Sequence, residues 1–212
     1  EDDSTIVEHQ LTKDGIENYS YHGDGNLGGG GENNVDKEKN KNKRKSVFVL
    51  WSPDAKHFTV SRTDNRKVKD LWVINSVAEP RPTLETYKYW MPGEKDAPVD
   101  HVYLFDVATQ TNKELAVSEF KDQSIAMWAA RQKVNTRDDD FRTAQWLGTK
   151  DKFYFTRTSR DLKKIDICVA DVNTNTVKPL IEERFNTYIE IRRLELINEG
   201  KEMIEWSERD GW

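Results

Sequence analysis

An internal repeat constrains this chain of 212 residues more than any other feature of its sequence. The segment DVATQTNKEL, from Asp106 to Leu115, aligns without gaps on DVNTNTVKPL, from Asp171 to Leu180, and the two share Asp, Val, two Thr, Lys and Leu. A fainter copy, TIVEHQL, begins at Thr5 and keeps the spacing from Thr to Leu. Self-similarity of this kind indicates a fold built from repeated supersecondary units.

A second repeated unit precedes the first one along the chain. KFYFTRTSRD, beginning at Lys152, aligns on KEMIEWSERD, beginning at Lys201, and KHFTVSRTD, beginning at Lys56, fits when one residue is dropped. Alternating apolar residues bounded by Asn, Asp, Gly or Pro are typical of half-buried strands, and the polar sequences VATQTN and VNTNT predict hairpin turns. The complete unit is therefore four strands in roughly 40 residues, which is the size of a propeller blade.

The repeats predict an all-β fold, a partial β-propeller of four-stranded antiparallel blades, with about two and a half blades truncated at both ends. From Lys152 to Asp171 the later unit spans 19 positions, whereas from Lys56 to Asp106 the earlier unit spans 50, so the earlier blade carries 31 extra residues. Several prolines in this insertion favour an ordered excursion over a central strand.

The units divide the chain into five parts, and incomplete blades at both ends lead us to expect a fragment of a larger domain. The parts are the last strand of an upstream blade at 1–16, a flexible loop at 17–45, a blade at 46–117 with its insertion at 65–100, a second blade with its connector at 118–182, and half a blade at 186–212. SIAMWAA in the connector is a predicted strand. Open blades expose unpaired strand edges, so we expect that the chain associates with itself, as in a homodimer, or that its first 45 residues are mobile.

Neither composition nor motifs indicate a catalytic, cofactor-binding or metal-binding residue, and none is assigned. The net charge of −5 gives no electrostatic footprint for nucleic acid, and no apolar run is long enough for a membrane span. Cys168 is the only cysteine, and its apolar surroundings in sequence are typical of a buried side chain. GDGNLG, from Gly23 to Gly28, matches GxGxxG, but the sequence around it favours a flexible loop over a dinucleotide site.

Three blocks of sequence carry a family resemblance. SPDAKHFTVSRTD, RPTLETYKYWMPGEKDAPVDHVYLFDV and MIEWSERDGW together resemble the N-terminal propeller of dipeptidyl peptidase IV-like enzymes, in the prolyl oligopeptidase family of serine peptidases. The resemblance covers residues 46–212, and YKYWMPGEKDAPV is its most specific part. It implies a propeller that gates and positions peptide substrates for the protein's own α/β-hydrolase domain, and it implies an exported protein. That hydrolase carries a Ser-Asp-His triad, but this chain contains no GxSxG motif.

The resemblance also implies a device for holding the substrate. In that family a Glu-Glu pair shortly before the WSPD-like strand binds the substrate's amino terminus through charge-assisted hydrogen bonds. Here the same place holds a Gly-rich and Lys-rich segment in which Glu32 stands alone. The adjacent pair Glu182–Glu183 follows a blade-closing strand and does not match the motif. No substrate-binding residue is therefore assigned from the sequence.

Two further hypotheses belong to other functional classes. The alternative to a propeller fragment of a dipeptidyl peptidase IV-like exopeptidase is a stand-alone propeller that acts as a protein-binding scaffold. A third hypothesis is a propeller enzyme with its site in the central channel, which requires clustered carboxylates or His that the innermost strands do not show. A hydrolase domain with a GxSxG serine in the same gene would favour the first hypothesis.

Overall fold

The computed structural model describes residues 7–21, 38–127, 130–133, 141–144, 146, 150–190, 195–198 and 201–210. These residues form strands joined by turns, with a helical turn at 38–40. The strands are β1 (Leu50–Trp51), β2 (His57–Asp64), β3 (Asp70–Asn75), β4 (Thr83–Lys88), β5 (Val99–Asp106), β6 (Thr111–Glu114), β7 (Ser124–Ala126), β8 (Ala130–Lys133), β9 (Phe141–Ala144), β10 (Lys152–Thr158), β11 (Lys164–Asp171), β12 (Thr176–Arg184), β13 (Glu195–Ile197) and β14 (Glu202–Ile204). In this part of the chain no helix has the length and hydrophobicity needed to span a membrane.

The first four-stranded sheet has the order β1-β2-β5-β6 and is antiparallel throughout. β2 and β5 pair along their whole length, from His57 opposite Asp106 to Asp64 opposite Val99. Between these two strands the chain makes an excursion in which β3 and β4 pair with each other as a separate hairpin. Because the hairpin has its own hydrogen-bond ladder, it interrupts the sequence of the blade but not its sheet.

The second four-stranded sheet has the order β12-β11-β10-β7, again antiparallel. Its edge strand β7 comes from the SIAMWAA segment and pairs with the end of β10, Ala126 opposite Thr156. A hairpin of β8 and β9 lies between β7 and the buried Trp146. Residues 128 and 129 of SIAMWAA lie outside the described residues. The remaining pair, β13 with β14, forms a two-stranded sheet.

The repeated turns have repeated hydrogen bonds. Asp106 Oδ1 accepts from the backbone N–H of Thr109, and Asp171 Oδ1 accepts from the backbone N–H of Thr174. In each turn the residue after that Thr has positive φ, 56° at Gln110 and 55° in the second copy. An Asp side chain readily accepts hydrogen bonds from backbone N–H groups two or three residues later. The two turns therefore share both their sequence and their shape.

A further pair of matching turns joins different strands in the two sheets. In the turn from β1 to β2, Ser52 Oγ donates to Asp54 and accepts from the N–H of His57. In the turn from β10 to β11, Ser159 Oγ donates to Asp161 and accepts from the N–H of residue 164 in the same way. These two turns do not align in the sequence repeat, because they occupy different places in the repeated unit.

A hydrophobic core lies between the two four-stranded sheets. Its buried members come from β5, the segment after β6, β10, β11 and their neighbours: Val102, Leu104, Leu115, Val117, Trp146, Phe153, Phe155, Cys168, Ala170 and Val172. On the opposite face of the first sheet, Phe58, Val60 and Phe105 form a second cluster, which is covered by Leu11 and Tyr21. The alternation of side chains along each strand therefore buries both faces of the first sheet.

The N-terminal part of the chain is anchored on the first sheet. Residues 7–15 carry no strand pairing, and an isolated bridge joins Ile16 to Tyr19. The expected blade-closing strand at 1–16 stays a prediction, since its partner strands would come from an earlier blade. Within the expected loop at 17–45, Tyr19 and Tyr21 pack on β5, whereas residues 22–37, which include GDGNLG and Glu32, lie outside the described residues.

Candidate functional site

The end of β12 places three consecutive charged residues on two faces of the second sheet. Glu182 lies opposite Asp166, and Arg184 lies opposite Lys164, whereas Glu183 lies opposite the buried Ile165. Because successive side chains of a strand point to opposite faces, Glu183 is separated from its two charged neighbours. The two faces have different partners and different chemistry.

One face carries a row of charges that is buried at Asp166 and Arg157 and exposed at Arg184. Asp166 is 1% exposed and accepts from Arg157 Nε at 2.8 Å and from Arg184 Nη2 at 2.5 Å. The guanidinium groups of both arginines also lie near the ring of Phe120, at 5.6 and 5.3 Å from its centroid. Every member of the row has an oppositely charged partner, which is what burial of ionised groups requires. We interpret this row as structural.

The other face carries Glu183, whose side chain is 6% exposed. Its Oε1 accepts from Ser207 Oγ and from Arg209 Nη2, each at 2.9 Å. Arg209 also donates to the backbone carbonyl of Glu182, so it ties the segment after β14 to the end of β12. Glu183 Oε2 is buried and has no hydrogen-bond partner among the described residues.

A cavity of about 270 Å³ opens beside this carboxylate. It is lined by one apolar and five polar or charged side chains: Ile181, Glu183, Glu205, Ser207, Arg209 and Asp210. Burial, together with the negative charge of Glu183, raises the pKa of Glu205 above its usual value. Three carboxylates against one guanidinium give the cavity a negative balance, so its chemistry suits a cation.

Loops from neighbouring elements lie at the same end of the second sheet as Glu183. The N–H groups of Phe185 and Ile189 donate to carbonyls of the β10–β11 turn. Within that turn Arg160 pairs with Asp122, donates to the carbonyl of Glu94 and lies 4.4 Å from the centroid of the Trp90 ring. The excursion from the first sheet is thus fastened to the loops of the second sheet.

Among the described residues, Cys168, His57 and His101 have surroundings typical of structural side chains. Cys168 is fully buried in the core, and burial raises the pKa of its thiol to about 11, which keeps it protonated at neutral pH. His57 lies 3.2 Å from Asp106, and His101 lies 2.7 Å from Glu114, in cross-strand pairs. Among the described residues, no group of three His, Cys, Asp or Glu side chains is placed to hold a metal ion.

No site residue is assigned from the sequence alone, because the pair Glu182–Glu183 does not stand in the place of the family's motif. Two signals in the sequence point to the cavity. A pair of Glu at the end of a strand must send one carboxylate to each face, and one of those faces was predicted to be buried. In addition, SERD repeats the SRD of the earlier unit, and its Arg209 aligns on Arg160.

Comparison with known proteins identifies the family. Residues 44–212 match the model of the dipeptidyl peptidase IV (DPP IV) N-terminal region. The chain belongs to this family, and its four-stranded antiparallel sheets are blades of a partial β-propeller, which confirms the predicted fold class and the family resemblance. Comparison with curated proteins gives no significant match.

Two solved structures share the fold. One is a protein from Bacteroides ovatus provisionally assigned as a dipeptidyl aminopeptidase IV, with a TM-score of 0.58 and 16% identity. The other is dipeptidyl peptidase 4 of Porphyromonas gingivalis, with a TM-score of 0.57 and 18% identity. In both cases 86% of this chain is covered, but only 22% of the other chain, so this chain spans about a fifth of the length of each.

Proposed function

We propose that this propeller region gates and positions peptide substrates for an α/β-hydrolase domain of a DPP IV-like serine exopeptidase. The observation that carries the proposal is the match of residues 44–212 to the DPP IV N-terminal region. The solved protein from Porphyromonas gingivalis is named a dipeptidyl peptidase, and the proposal extends that activity to the protein that contains this chain. The release of dipeptides requires a surface that fixes how far the substrate's amino terminus enters the site.

The loops at one end of the second sheet support a positioning role. Binding residues are concentrated on loops that a rigid scaffold holds in place. Here the scaffold is the sheet of β10 to β12, and the loops are fastened to it by Arg160 and Arg209. The cavity at Glu183 lies between the end of β12 and the segment after β14, and its negative balance is suited to the positively charged end of a peptide.

The test of the activity uses the protein encoded by the whole gene. We expect it to release p-nitroaniline from dipeptide p-nitroanilides and to lose this activity after treatment with a fluorophosphonate that modifies an active serine. A protein without a reactive serine and without dipeptide release would contradict the proposal and favour the stand-alone scaffold.

The test of gating uses Arg160→Ala in the same protein. This substitution removes the contacts with Asp122, Trp90 and the carbonyl of Glu94, so the excursion is loosened from the second sheet. We expect kcat/KM for long peptides to change severalfold while hydrolysis of a small p-nitrophenyl ester is unchanged. Equal effects on both substrates would contradict gating.

We also propose that the chain associates with a second copy through the hairpin of β3 and β4. Trp72, Ile74 and Leu84 share one face of this hairpin and are 73%, 69% and 54% exposed. An apolar face of this kind favours a protein interface. Sedimentation velocity should show a dimer for the wild type and a monomer for Trp72→Lys/Ile74→Lys, whereas a monomeric wild type would contradict the proposal.

A further inference from the structure

An exposed basic segment leads from the N-terminal part of the chain into the first sheet. Residues 41–48 are all exposed, and they contain the consecutive basic residues Lys43, Arg44 and Lys45. From Arg44 to the start of β1 the chain belongs to no helix, strand or turn, and the backbone of Lys45 makes no hydrogen bond to another described residue. The chain around Lys45 can therefore lie extended on a partner that binds it through its backbone.

A second exposed pair of basic residues, Lys163 and Lys164, is held in a different conformation. The N–H of Lys163 donates to Asp161 Oδ1 at 3.2 Å, and its carbonyl accepts from the N–H of Phe185 at 3.0 Å. The N–H and the carbonyl of Lys164 both bond to Ser159, at 3.0 and 2.9 Å. A partner that needs an extended backbone would have to break these hydrogen bonds first, so exposure alone does not make the two segments equivalent.

The side chains of the basic segment are available to such a partner. Arg44 is 84% exposed, and it pairs with Glu8, which is 68% exposed. An ion pair between exposed groups contributes little to stability and is easily exchanged. Endopeptidases that cleave after basic residues bind the Lys or Arg before the cleaved bond on a carboxylate in their specificity pocket. An exposed cation on an unpaired stretch of backbone is what such a pocket requires.

The N-terminal part of the chain is attached to the first sheet by contacts that do not pass through the basic segment. Arg62 donates to the carboxylate of Asp14 at 2.7 Å and to the carbonyl of Tyr19 at 2.8 Å. The hydroxyl of Tyr19 lies 2.9 Å from that of Tyr103 in β5. These contacts join residues before the segment to strands after it, so a cut within the segment leaves them intact.

We propose that the bond between Lys45 and Ser46 is a processing site for an endopeptidase that cleaves after basic residues, and that the cleaved protein stays together as two chains. Hydrolysis adds one water molecule across this peptide bond. Lys45 then ends the first chain with a carboxylate, and Ser46 begins the second chain with an amino group. The bond is preferred within the basic run because the three residues on either side of it are exposed and lie outside the turn at 41–42.

Brief digestion of the chain with a small amount of trypsin tests whether this segment is selected. Trypsin cleaves after Lys and Arg, of which the chain contains 33, so an unselective reaction is easily recognised. We expect the first cut, identified by mass spectrometry, within the run from Lys43 to Lys45. It should be about tenfold or more faster than any cut at Lys163 or Lys164. A first cut outside the run would overturn the site.

Two multiple variants separate sequence from exposure. Lys43→Gln/Arg44→Gln/Lys45→Gln should lose the early cut, and thermal unfolding shows that the variant is folded. Lys163→Gln/Lys164→Gln is the matched control, since it also removes exposed basic residues, and it should keep the early cut at the rate of the wild type. An early cut at the same place in the first variant would contradict recognition of the basic residues.

The conformational protection of the second pair has its own test. Asp161→Ala removes the acceptor of the Lys163 N–H and one partner of Ser159 Oγ, so the turn opens more often. Cleavage after Lys163 or Lys164 should then become severalfold faster, while the early cut in the basic segment is unchanged. Unchanged cleavage at the pair would contradict the difference in conformation as the reason for selection.

Size-exclusion chromatography of the cleaved chain tests the two-chain product. Without denaturant both fragments should elute together at the volume of the intact chain, and they should separate in urea. Asp14→Asn/Tyr19→Phe weakens the contacts with Arg62 and Tyr103, so after cleavage this variant should release its N-terminal fragment at least severalfold faster. Release of the fragment from the cleaved wild type would overturn the two-chain product.

The protein isolated from its native source decides whether processing occurs there. With inhibitors of serine endopeptidases present from the moment of lysis, we expect mass spectrometry to find an amino terminus at Ser46. Its absence would overturn the processing site, even if trypsin cuts the purified chain there. The result is independent of the proposed function, because release of dipeptides is measured in a separate assay of the whole protein.

Discussion

Arg62 in β2 and Arg157 in β10 occupy the same position of the repeat, and both are buried, but their charges are compensated from different places. In the second sheet the register places Asp166 opposite Arg157, and the two form an ion pair at 2.8 Å. In the first sheet the residue opposite Arg62 is His101, so the neighbouring strand offers no carboxylate at that position.

The carboxylate for Arg62 comes from a segment 48 positions earlier. Arg62 Nη1 donates to Asp14 Oδ2 at 2.7 Å, and its Nη2 donates to the carbonyls of Asp14 and Tyr19. The rings of Tyr19 and Tyr21 lie 3.4 and 4.3 Å from the guanidinium carbon, at cation–π distance. The arginine is thus buried at the same position in both sheets, whereas the group that compensates its charge comes from a different part of the structure in each.

The largest effect expected from this comparison is at Asp166. Asp166→Asn keeps the shape of the side chain but leaves Arg157 buried without the charge that it pairs with. Removing one partner of a buried ion pair typically costs about 3–5 kcal/mol of unfolding free energy. Urea unfolding followed by tryptophan fluorescence measures the loss, with the exposed Asp96→Asn as the control. A loss below about 1 kcal/mol would mean that Glu119, 3.8 Å from Arg157, compensates the charge.

A smaller effect is expected at Asp14, although its partner is equally buried. Asp14→Asn leaves the Arg62 guanidinium in contact with two backbone carbonyls and two aromatic rings. Because the Asp14 side chain is 62% exposed, water solvates the guanidinium where the carboxylate charge is removed. We expect a loss of about 1–2 kcal/mol, below the range for a fully buried pair. The same urea measurement tests this, and a loss equal to that of Asp166→Asn would contradict the distinction between the two sheets.

The pH dependence of the unfolding free energy gives a further test of the Asp14–Arg62 pair. Burial acts to raise the pKa of Asp14, but the hydrogen bond and the charge of Arg62 outweigh it, and the pKa lies below its usual value of 3.8. A carboxylate with a lowered pKa in the folded state stabilises the fold above its unfolded pKa and loses this contribution as the pH falls through the folded pKa. The difference in unfolding free energy between wild type and Asp14→Asn should be constant above about pH 5 and shrink below about pH 4. A difference that grows on acidification would contradict the pair.

The smallest effect is expected where the two sheets are alike. Ser52 and Ser159 make the same two side-chain hydrogen bonds in their turns. Each of Ser52→Ala and Ser159→Ala should lower the unfolding free energy by about 1 kcal/mol, the usual contribution of a hydrogen bond. The two losses should agree within error in matched urea titrations. Clearly different losses would show that the position of the turn in the blade, and not the turn alone, determines how much the serine stabilises the fold.

Much of the fold could be predicted because its signals are local. The strands follow from alternation of apolar residues, and the turns at Asp106 and Asp171 follow from side chains that bond to backbone two or three residues away. These interactions need no distant partner, so they repeat when the sequence repeats. The fold class was predicted on this basis, the family was predicted from the resemblance of three blocks of sequence, and both are confirmed.

The site could not be predicted in the same way. Glu183 meets Arg209, 26 positions later, only because the segment after β14 packs against the end of β12. The edge strand β7 joins β10 across a separate hairpin, a pairing that neither strand's sequence specifies. Contacts between distant segments depend on how sheets pack, and short-range patterns carry no information about that.

The sequence by itself thus determined the repeated unit, its turns and an arginine at the same position of two copies, Arg62 in β2 and Arg157 in β10. Only the tertiary structure decided that Asp14 compensates one of these arginines and Asp166 the other, and that Glu183 keeps one oxygen without a donor. The physical reason is the range of the interactions. Backbone hydrogen bonds and strand alternation act within a few residues, whereas a buried charge is satisfied by whichever group packing brings within hydrogen-bond distance.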